Sequence, residues 1–322
     1  MDSVTDTVKP DTQDANILVL DIGLSSNEPS FSAGQILQVS PDGQVQKVLA
    51  TGQSLPDGIA VDHSIRRMFW TNMGVPGRED GAVLSANLDG TDIKPVVAPG
   101  TGTINTPKQL ALDTAARKIY VCDREGVRVI RCNYDGSGFE VLIQAGDPTD
   151  AAASAKDARN WCVGVAVASG LGKFYWTQKG PSKGGQGRIL SANIAMAQGQ
   201  SASTRDDIRV LLSGLPEPID LEVDEGSRAL YWTDRGELPF GNSLNRLGLD
   251  ESGLALPCAS TLGYEVLNRN LNEAIGLKLD IPNNQIYLTD LGGSLYRCDR
   301  DGRGRVKLLS DENRALTGLA LA

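Results

Sequence analysis

The sequence is poor in the residues on which many enzyme active sites depend. Its 322 residues include one histidine, His63, and aromatic residues make up 5% of the chain. His63 falls in a short connection between two apolar runs. A single histidine in that position argues against a Ser–His–Asp triad and against a histidine-based metal site.

Charge and hydropathy argue against two classes of partner. The formal net charge is −9 and the isoelectric point is about 4.8, which is unfavourable for binding nucleic acid or an anionic membrane surface. No run of about 18 apolar residues is present, so the sequence predicts no membrane span. Residues 1–15 are polar and lack the apolar core of a signal peptide. We therefore expect a flexible tail at 1–15 and a cytoplasmic protein.

The cysteines show no pattern of disulfide pairing. There are five of them, an odd number, at positions 122, 132, 162, 258 and 298. Cys132 and Cys298 occupy the same position of two distant repeats, described next, and so cannot bond to each other. We expect all five to be reduced thiols.

A tetrapeptide recurs along the chain. It reads YWTD at 231–234, and the same slot recurs at 69–72, 120–123, 175–178 and 287–290, with a weaker copy at 18–21. The steps between copies are 51, 51, 55, 56 and 56 residues, and the interval from residue 290 across the termini to residue 21 is 53. A period that closes across the termini indicates a ring of six repeats.

Each repeat reads as four short strands. An apolar run ending in an acidic residue precedes the tetrapeptide, as at 58–62, and a third run such as 83–87 follows it. Asp-Gly turns such as 89–90 then lead into a fourth run. The sequence therefore predicts an all-β fold, a six-bladed β-propeller of four-stranded antiparallel blades spanning 16–322. The chain ends in a first-strand sequence and begins with a second-strand sequence, so we expect 317–322 to pair with 16–22 and close the ring.

This pattern resembles the YWTD-repeat family, the six-bladed propellers of lipoprotein-receptor ectodomains, from about residue 16 to the end. The receptor proteins carry flanking cysteine-rich modules, which are absent from this sequence. A protein of this length, with degenerate YWTD copies and no signal sequence, is also similar to a fungal group that includes the hetero-Diels–Alderases of tropolone–sesquiterpenoid biosynthesis. No catalytic residue can be carried over from that group by motif.

The connections differ between the two faces of the predicted ring. Those between first and second strands are short, and most of those between third and fourth strands are Asp-Gly turns. The second-to-third and fourth-to-first connections are long, as at 22–34, 144–164 and 260–276. We call their side the long-loop face and the other the short-loop face. Long loops on one side of a rigid scaffold commonly form binding sites, so we expect the site on the long-loop face.

The residues that begin the first strands are the best candidates for chemistry. The repeats place Asp57, Lys108 and Thr317 in one ring around the channel mouth, and Gln109 and Asp220 in the next ring. We expect the tetrapeptide side chains to pack between blades and to bond backbone. The residue types in these two rings, in contrast, differ from one repeat to the next. We predict Lys108 or Gln109 as a hydrogen-bond donor and Asp57 or Asp220 as an acid–base group.

The resemblance to the fungal group implies a cofactor-independent pericyclase. It would join a tropolone o-quinone methide to a macrocyclic sesquiterpene alkene, both apolar small molecules of polyketide and terpenoid origin. The chemistry needs an apolar cleft that aligns the partners and few acid–base groups. We expect that cleft between the 144–164 and 260–276 loops. The predicted substrate-binding residues are Trp161, Tyr264, Phe240, Met73, Thr317 and Glu273.

Two alternatives remain open from the sequence. One is a protein-binding propeller scaffold of the YWTD type. The other is a metal-dependent lactonase of the gluconolactonase type, for which Asp57, Asp220, Glu217 and Glu273 are available oxygen ligands. These carboxylates follow no repeated ligand pattern, so we predict neither a metal nor a cofactor.

Overall fold

The computed structural model describes residues 16–147 and 149–322. The predicted tail at 1–15 lies outside these residues. Strands in the first half are β1 (Ile17–Asp21), β2 (Gly34–Val39), β3 (Val45–Gln53), β4 (Pro56–Asp62), β5 (Arg67–Asn72), β6 (Ala82–Asn87), β7 (Lys94–Val97), β8 (Pro107–Asp113), β9 (Lys118–Asp123), β10 (Arg128–Asn133) and β11 (Glu140–Gln144).

Strands in the second half are β12 (Cys162–Ala168), β13 (Lys173–Gln178), β14 (Gly187–Asn193), β15 (Arg209–Leu215), β16 (Pro218–Asp224), β17 (Ala229–Asp234), β18 (Ser243–Gly248), β19 (Glu265–Asn268), β20 (Ala274–Asp280), β21 (Gln285–Asp290), β22 (Ser294–Asp299), β23 (Val306–Ser310) and β24 (Leu316–Leu321). Among the described residues, helical structure is limited to α1 (Ala151–Lys156) and the 3-10 turns Ala158–Asn160 and Ser169–Leu171. None of these described helices has the length and apolarity needed to cross a bilayer.

The strands form six four-stranded antiparallel sheets, which confirms the predicted six-bladed propeller. Blade 1 has the order β24-β1-β2-β3, and blades 2 to 6 each use four consecutive strands beginning with β4, β8, β12, β16 and β20. Ile17 pairs with Leu321 and Leu18 with Ala320, so strands from the two ends of the chain close the ring as predicted. The first strand of each blade lies next to the first strands of its neighbours and lines the central channel.

The tetrapeptide aromatics pack between blades. Trp70, Trp176 and Trp232 are at most 1% exposed, and each lies in a cluster built from two adjacent blades. Burying an aromatic side chain of this size removes a large apolar area from water. The repeat therefore recurs because each blade needs the same apolar contact with the next one.

The tetrapeptide threonines bond one blade to the next. Thr71 Oγ1 accepts from the amide of Gly58 at 2.9 Å in its own blade and donates to the carbonyl of Lys108 at 2.6 Å in the following blade. The same pair of bonds is made by Thr177, Thr233 and Thr289. The terminal aspartates bond backbone, as where Asp123 accepts from the amides of Asn105 and Thr106. These contacts confirm the structural interpretation of the tetrapeptide.

Glycines allow the inner strands to approach closely. A Cβ added to Gly164 would lie 2.1 Å from the carbonyl oxygen of Ile219, and one added to Gly276 would lie 2.4 Å from that of Thr317. Both contacts are too short for a side chain. Gln109 and Asp220 replace glycine in this ring, so larger polar groups enter the channel there.

The structure contradicts one predicted connection. The fourth strand of blade 5 is β19, which begins at Glu265, so the fourth-to-first connection is only 269–273. The long segment 249–264 belongs to the short-loop face, as does 194–208 in blade 4. The strand is only 4 residues long and partly exposed, which gave its sequence little apolar periodicity to recognise.

All five cysteines are free, as predicted.

Candidate functional site at the channel mouth

The candidate site is a cavity of about 280 Å³ on the long-loop face, at the channel mouth. Its apolar wall comes mainly from blades 1, 2 and 6, and the side chains forming it include Ile22, Leu24, Leu55, Met73, Ile275 and Leu291. Its polar wall includes Asp57, Thr106, Lys108, Arg124, Glu125, Arg235 and Thr317. Of the predicted site residues, Asp57, Lys108, Met73 and Thr317 line this cavity.

The position directly after each tetrapeptide forms a ring of two chemical halves. In blades 6, 1 and 2 it holds Leu291, Ile22 and Met73, and in blades 3, 4 and 5 it holds Arg124, Lys179 and Arg235. Because second strands end at the long-loop face, this ring surrounds the channel mouth. One side of the mouth is therefore apolar and the other is cationic.

The ring of first-strand residues lies deeper and is also divided. Val163, Ile219 and Ile275 are at most 5% exposed and form an apolar cluster beneath the cationic half. Asp57, Lys108 and Thr317 complete the ring, as the repeats predict. Thr317 donates its hydroxyl to the carbonyl of Pro56 at 2.9 Å, which fixes it to blade 2.

Lys108 is held from two sides at the floor of the cavity. Its Nζ lies 2.8 Å from Asp57 Oδ1 and 3.0 Å from Met73 Sδ. Asp57 is fixed in turn by Gln109, whose Nε2 donates to the Asp57 carbonyl at 3.0 Å and to Oδ2 at 3.2 Å. The ammonium has three donors, and two of them have partners among the described residues. One N–H is therefore available to a ligand in the cavity that Lys108 lines.

Burial lowers the pKa of Lys108 from its ordinary 10.5 to about 8. Asp57 opposes this effect, whereas the guanidinium groups of Arg124 and Arg235 add to it. The ammonium form therefore predominates at neutral pH, and it is a stronger donor than a neutral amine.

The remaining predicted catalytic residues lie on the channel side of this floor. Gln109 and Asp220 line a second cavity of about 300 Å³ inside the channel, which extends to His63 on the short-loop face. Asp220 accepts from the amides of Leu221 and Leu277. Burial, followed by repulsion from Glu222, raises its pKa well above the usual value. The structure thus brings Asp57, Lys108 and Gln109 together and leaves Asp220 outside the mouth cavity.

Tyr264 was predicted as a wall of the cleft, and its placement is wrong. It precedes β19 at the end of the 249–264 segment, on the short-loop face. Its ring is 5% exposed and packs edge-on against Trp232, with 5.0 Å between the ring centroids. The expected cleft between the 144–164 and 260–276 loops therefore does not form.

Three other predicted substrate-binding residues are on the long-loop face but do not line the mouth cavity. Trp161 donates from Nε1 to the carbonyl of Ala155 at 2.7 Å and packs against the core of blades 3 and 4. Phe240 is 38% exposed on the 235–242 connection. Glu273 pairs with Lys183 at 3.3 Å and more weakly with Arg235 at 3.9 Å.

Three cations around the mouth, Arg124, Lys179 and Arg235, were not among the predicted site residues. The Arg124 guanidinium and the Lys179 ammonium both lie over the ring of Trp161, 5.0 and 5.3 Å from its centroid. Lys179 and Arg235 both bond the fully buried Glu217, at 2.8 and 2.9 Å. The sequence does contain this information, because the residue after each tetrapeptide is apolar in three repeats and basic in the other three.

The carboxylates proposed for a lactonase-type metal do not assemble into a ligand set. Asp57 pairs with Lys108, Glu217 with Lys179 and Arg235, and Asp220 lies in the channel. Within residues 16–147 and 149–322, no group of three acidic, histidine or cysteine side chains is placed to hold a metal ion. These residues therefore do not fit the metal centre of a gluconolactonase-type enzyme.

Comparison with known proteins gives two fungal relatives. No protein-family model matches the chain. It is 48% identical over 308 residues to the "3-hydroxyacyl-CoA dehydrogenase-like protein LAM1" of Cochliobolus heterostrophus, a match that covers 95% of this chain and 64% of LAM1. It is 44% identical over 307 residues to the "Low-density lipoprotein receptor-related protein 1" of Pyricularia oryzae, covering 95% of this chain and 97% of that protein.

Solved structures share the fold at low sequence identity. The crystal structure of a nidogen/laminin complex includes a chain with a TM-score of 0.67 and 17% identity, covering 96% of this chain and 98% of that one. A gluconolactonase from Xanthomonas campestris gives a TM-score of 0.54 and 17% identity, covering 86% and 84%. These likenesses establish the fold alone. The full-length match to the Pyricularia oryzae protein shows more: the chain belongs to its family, a group of six-bladed propellers with YWTD-type repeats and relatives in fungi.

Proposed function

We propose that the protein is a cofactor-independent pericyclase that works in the mouth cavity. Its reaction would be a hetero-Diels–Alder cycloaddition between a tropolone o-quinone methide and a macrocyclic sesquiterpene alkene. The observation that supports it best is the Lys108 ammonium, held by Asp57 and Met73 at the floor of a partly apolar cavity. The resemblance to the fungal hetero-Diels–Alderases and the fungal origin of the two relatives agree with it.

The residues have a simple role in such a reaction. The four-atom C=C–C=O unit of the quinone methide and the alkene form one C–C and one C–O bond, and no proton, electron or leaving group is released. Lys108 would donate a hydrogen bond to the carbonyl oxygen, which draws electron density from the heterodiene and favours attack by the alkene. The apolar half of the mouth would hold the carbon skeletons in contact, and alignment alone can supply roughly 7–11 kcal/mol of barrier reduction.

Asp57 and Gln109 act through Lys108 in this proposal. Asp57 keeps the ammonium charged and directed to the cavity floor, and Gln109 fixes the Asp57 carboxylate. Asp220 has no role at the reacting atoms, because it lines the channel on the far side of Gln109. The dehydrogenase in the name of LAM1 is not carried over, since the described residues form antiparallel blades and contain no βαβ nucleotide-binding unit.

The test is to incubate the protein with a macrocyclic alkene and a hydroxylated tropolone precursor that loses water in solution to give the quinone methide. Chiral chromatography would then give the yield and isomer ratio of the dihydropyran. We expect faster formation and one dominant isomer compared with the reaction without protein. Equal yield and an unchanged isomer ratio would rule out the pericyclase.

A protein-binding scaffold is the second candidate. Leu24 and Phe31, in the 22–33 connection, are 44% and 47% exposed, and Leu238 in the 235–242 connection is 54% exposed. Exposed apolar side chains on one face favour contact with another protein. If cycloaddition fails, and a Phe31→Ser variant loses a stoichiometric protein partner that the wild type binds, the scaffold function replaces the pericyclase.

A further inference from the structure

The charges around the mouth do not balance. The side chains that line the mouth cavity include three cations, Lys108, Arg124 and Arg235, and two carboxylates, Asp57 and Glu125. Lys108 pairs with Asp57 and Arg124 with Glu125, while Arg235 and Lys179 both pair with Glu217. Two cations therefore share one carboxylate. Glu273 does not line the cavity, and it lies closer to Lys183, at 3.3 Å, than to Arg235, at 3.9 Å. In a chain whose net charge is −9, this is a local excess of positive charge.

Two arginines at the mouth use only part of their guanidinium groups for these pairs. Arg124 uses Nε and Nη2 for Glu125, which leaves Nη1 without a partner among the described residues. Arg235 uses Nε and Nη2 for Glu217, and its Nη1 lies 3.9 Å from Glu273 Oε2, beyond hydrogen-bond distance. Both guanidinium groups line the cavity together with Lys108, and they approach it from blades 3 and 5. An oxygen anion in the cavity would meet donors from several directions.

The opposite half of the mouth suits a carbon skeleton. Ile22, Leu55 and Met73 form one apolar cluster with Ala315, and Leu291 packs against it. A ligand that fits both halves must therefore be apolar at one end and anionic at the other.

We propose that the mouth cavity takes its ligand as an amphipathic monoanion, whose acidic oxygen group binds Lys108, Arg124 and Arg235 while its carbon skeleton covers Ile22, Met73 and Leu291. This rests on the mouth cavity being the substrate site of the proposed function. The acidic group can be a carboxylate or an acidic enol such as that of a tropolone, since both present a delocalised oxygen anion. One negative charge would balance the excess cation.

Equilibrium binding tests this without any turnover. Octanoate and octanamide share a skeleton and differ in charge, and tropolone and its methyl ether form a second such pair. Titration calorimetry should show at least about tenfold tighter binding of the anion in one or both pairs, because charge-assisted hydrogen bonds are worth more than neutral ones. Selectivity in only the first pair identifies a carboxylate ligand, and selectivity in only the second identifies an enolate.

Variants locate the effect. Arg124→Gln should reduce the preference for the anion to near onefold, and Arg124→Lys should retain most of it. The matched control is Arg159→Gln, since Arg159 is an exposed arginine of the same face that pairs with Asp157 outside the cavity. If Arg124→Gln does not fold, the wild type still decides, because its preference should weaken as sodium chloride is raised.

Equal affinity for anion and neutral analogue in both pairs would overturn the proposal. So would a preference that survives in Arg124→Gln but is lost in Arg159→Gln. These outcomes are separable from failure of the proposed function. If the protein prefers the anions but forms no cycloadduct, only the pericyclase proposal fails. If it catalyses the cycloaddition but binds the neutral analogues equally well, only the monoanion proposal fails.

Discussion

Lys108 of blade 3 and Asp57 of blade 2 form an ion pair of 2.8 Å between the first strands of adjacent blades. Their side chains are only 12% and 3% exposed. Two charges removed from water in this way depend on each other, because loss of one leaves the other buried without compensation. The stability of the channel mouth therefore depends on the charge of Lys108, the residue that we propose as the hydrogen-bond donor.

The first prediction concerns the stability of this pair. Lys108→Met alone should lower the free energy of unfolding by roughly 3–5 kcal/mol, since Asp57 would stay buried and unpaired. Adding Asp57→Asn should recover most of that loss, because no buried charge is left. Urea unfolding of the two variants at neutral pH checks this. Equal stability of the single and double variants would show that the pair is not coupled.

The second prediction concerns pH. Because the pKa of Lys108 is lowered to about 8, activity that needs the ammonium should fall as pH rises through about 8. Asp57 raises this pKa, so Asp57→Asn should shift the falling limb of the pH–rate profile to lower pH. A limb that stays in place in Asp57→Asn would mean that another group controls it.

The third prediction concerns the bonds between blades. Thr233 Oγ1 accepts from the amide of Asp220 at 3.2 Å and donates to the carbonyl of Ile275 at 2.6 Å. Thr233→Val keeps the shape and leaves both groups buried without partners, so we expect a loss of about 2–4 kcal/mol. Thr233→Ser keeps the hydroxyl and should lose less than half as much. Thermal and urea unfolding would show whether the two variants differ in this order.

The fourth prediction concerns Asp234. Burial raises its pKa to about 7, and its Oδ2 has no hydrogen-bond partner. The folded state therefore binds this proton more tightly than the unfolded state. Its contribution to stability is greatest at low pH and is lost as pH rises from about 4 to about 7, by up to roughly 1.4 kcal/mol per pH unit. Asp234→Asn should remove this part of the pH dependence, measured as unfolding free energies at pH 5 and pH 7.

The fold could be predicted because the repeat is encoded locally. Three blades place a tryptophan between sheets and four place a threonine between inner strands, so Trp70, Trp176 and Trp232 are separated by multiples of the blade period. The period also fixed the alignment of Asp57, Lys108 and Thr317 around the mouth. Strand β19 escaped prediction, because 4 partly exposed residues carry little periodicity.

The cavity walls could not be predicted in the same way. Tyr264 and Trp161 are large aromatics in or near long connections, and sequence alone does not show that the first is packed on Trp232 and the second beneath Arg124. Loop conformation depends on contacts that are distant in sequence. Arg124 and Arg235 follow the second strands, so the alignment of first strands did not include them. Their position at the mouth can be recognised only by comparing the residue after each tetrapeptide.

The role of Lys108 as the hydrogen-bond donor is tested most directly by comparing two variants in a single-turnover cycloaddition. Asp57→Asn retains Lys108, and the double variant Asp57→Asn with Lys108→Met lacks it without leaving a buried charge. At slightly acid pH the double variant should be slower by roughly 100-fold, the usual effect of removing one donor to a developing oxyanion. Lys156→Met, which changes an exposed lysine on α1, should match the wild type. If the double variant keeps the rate and isomer ratio of Asp57→Asn, Lys108 is not the donor and the account of the mouth cavity is wrong.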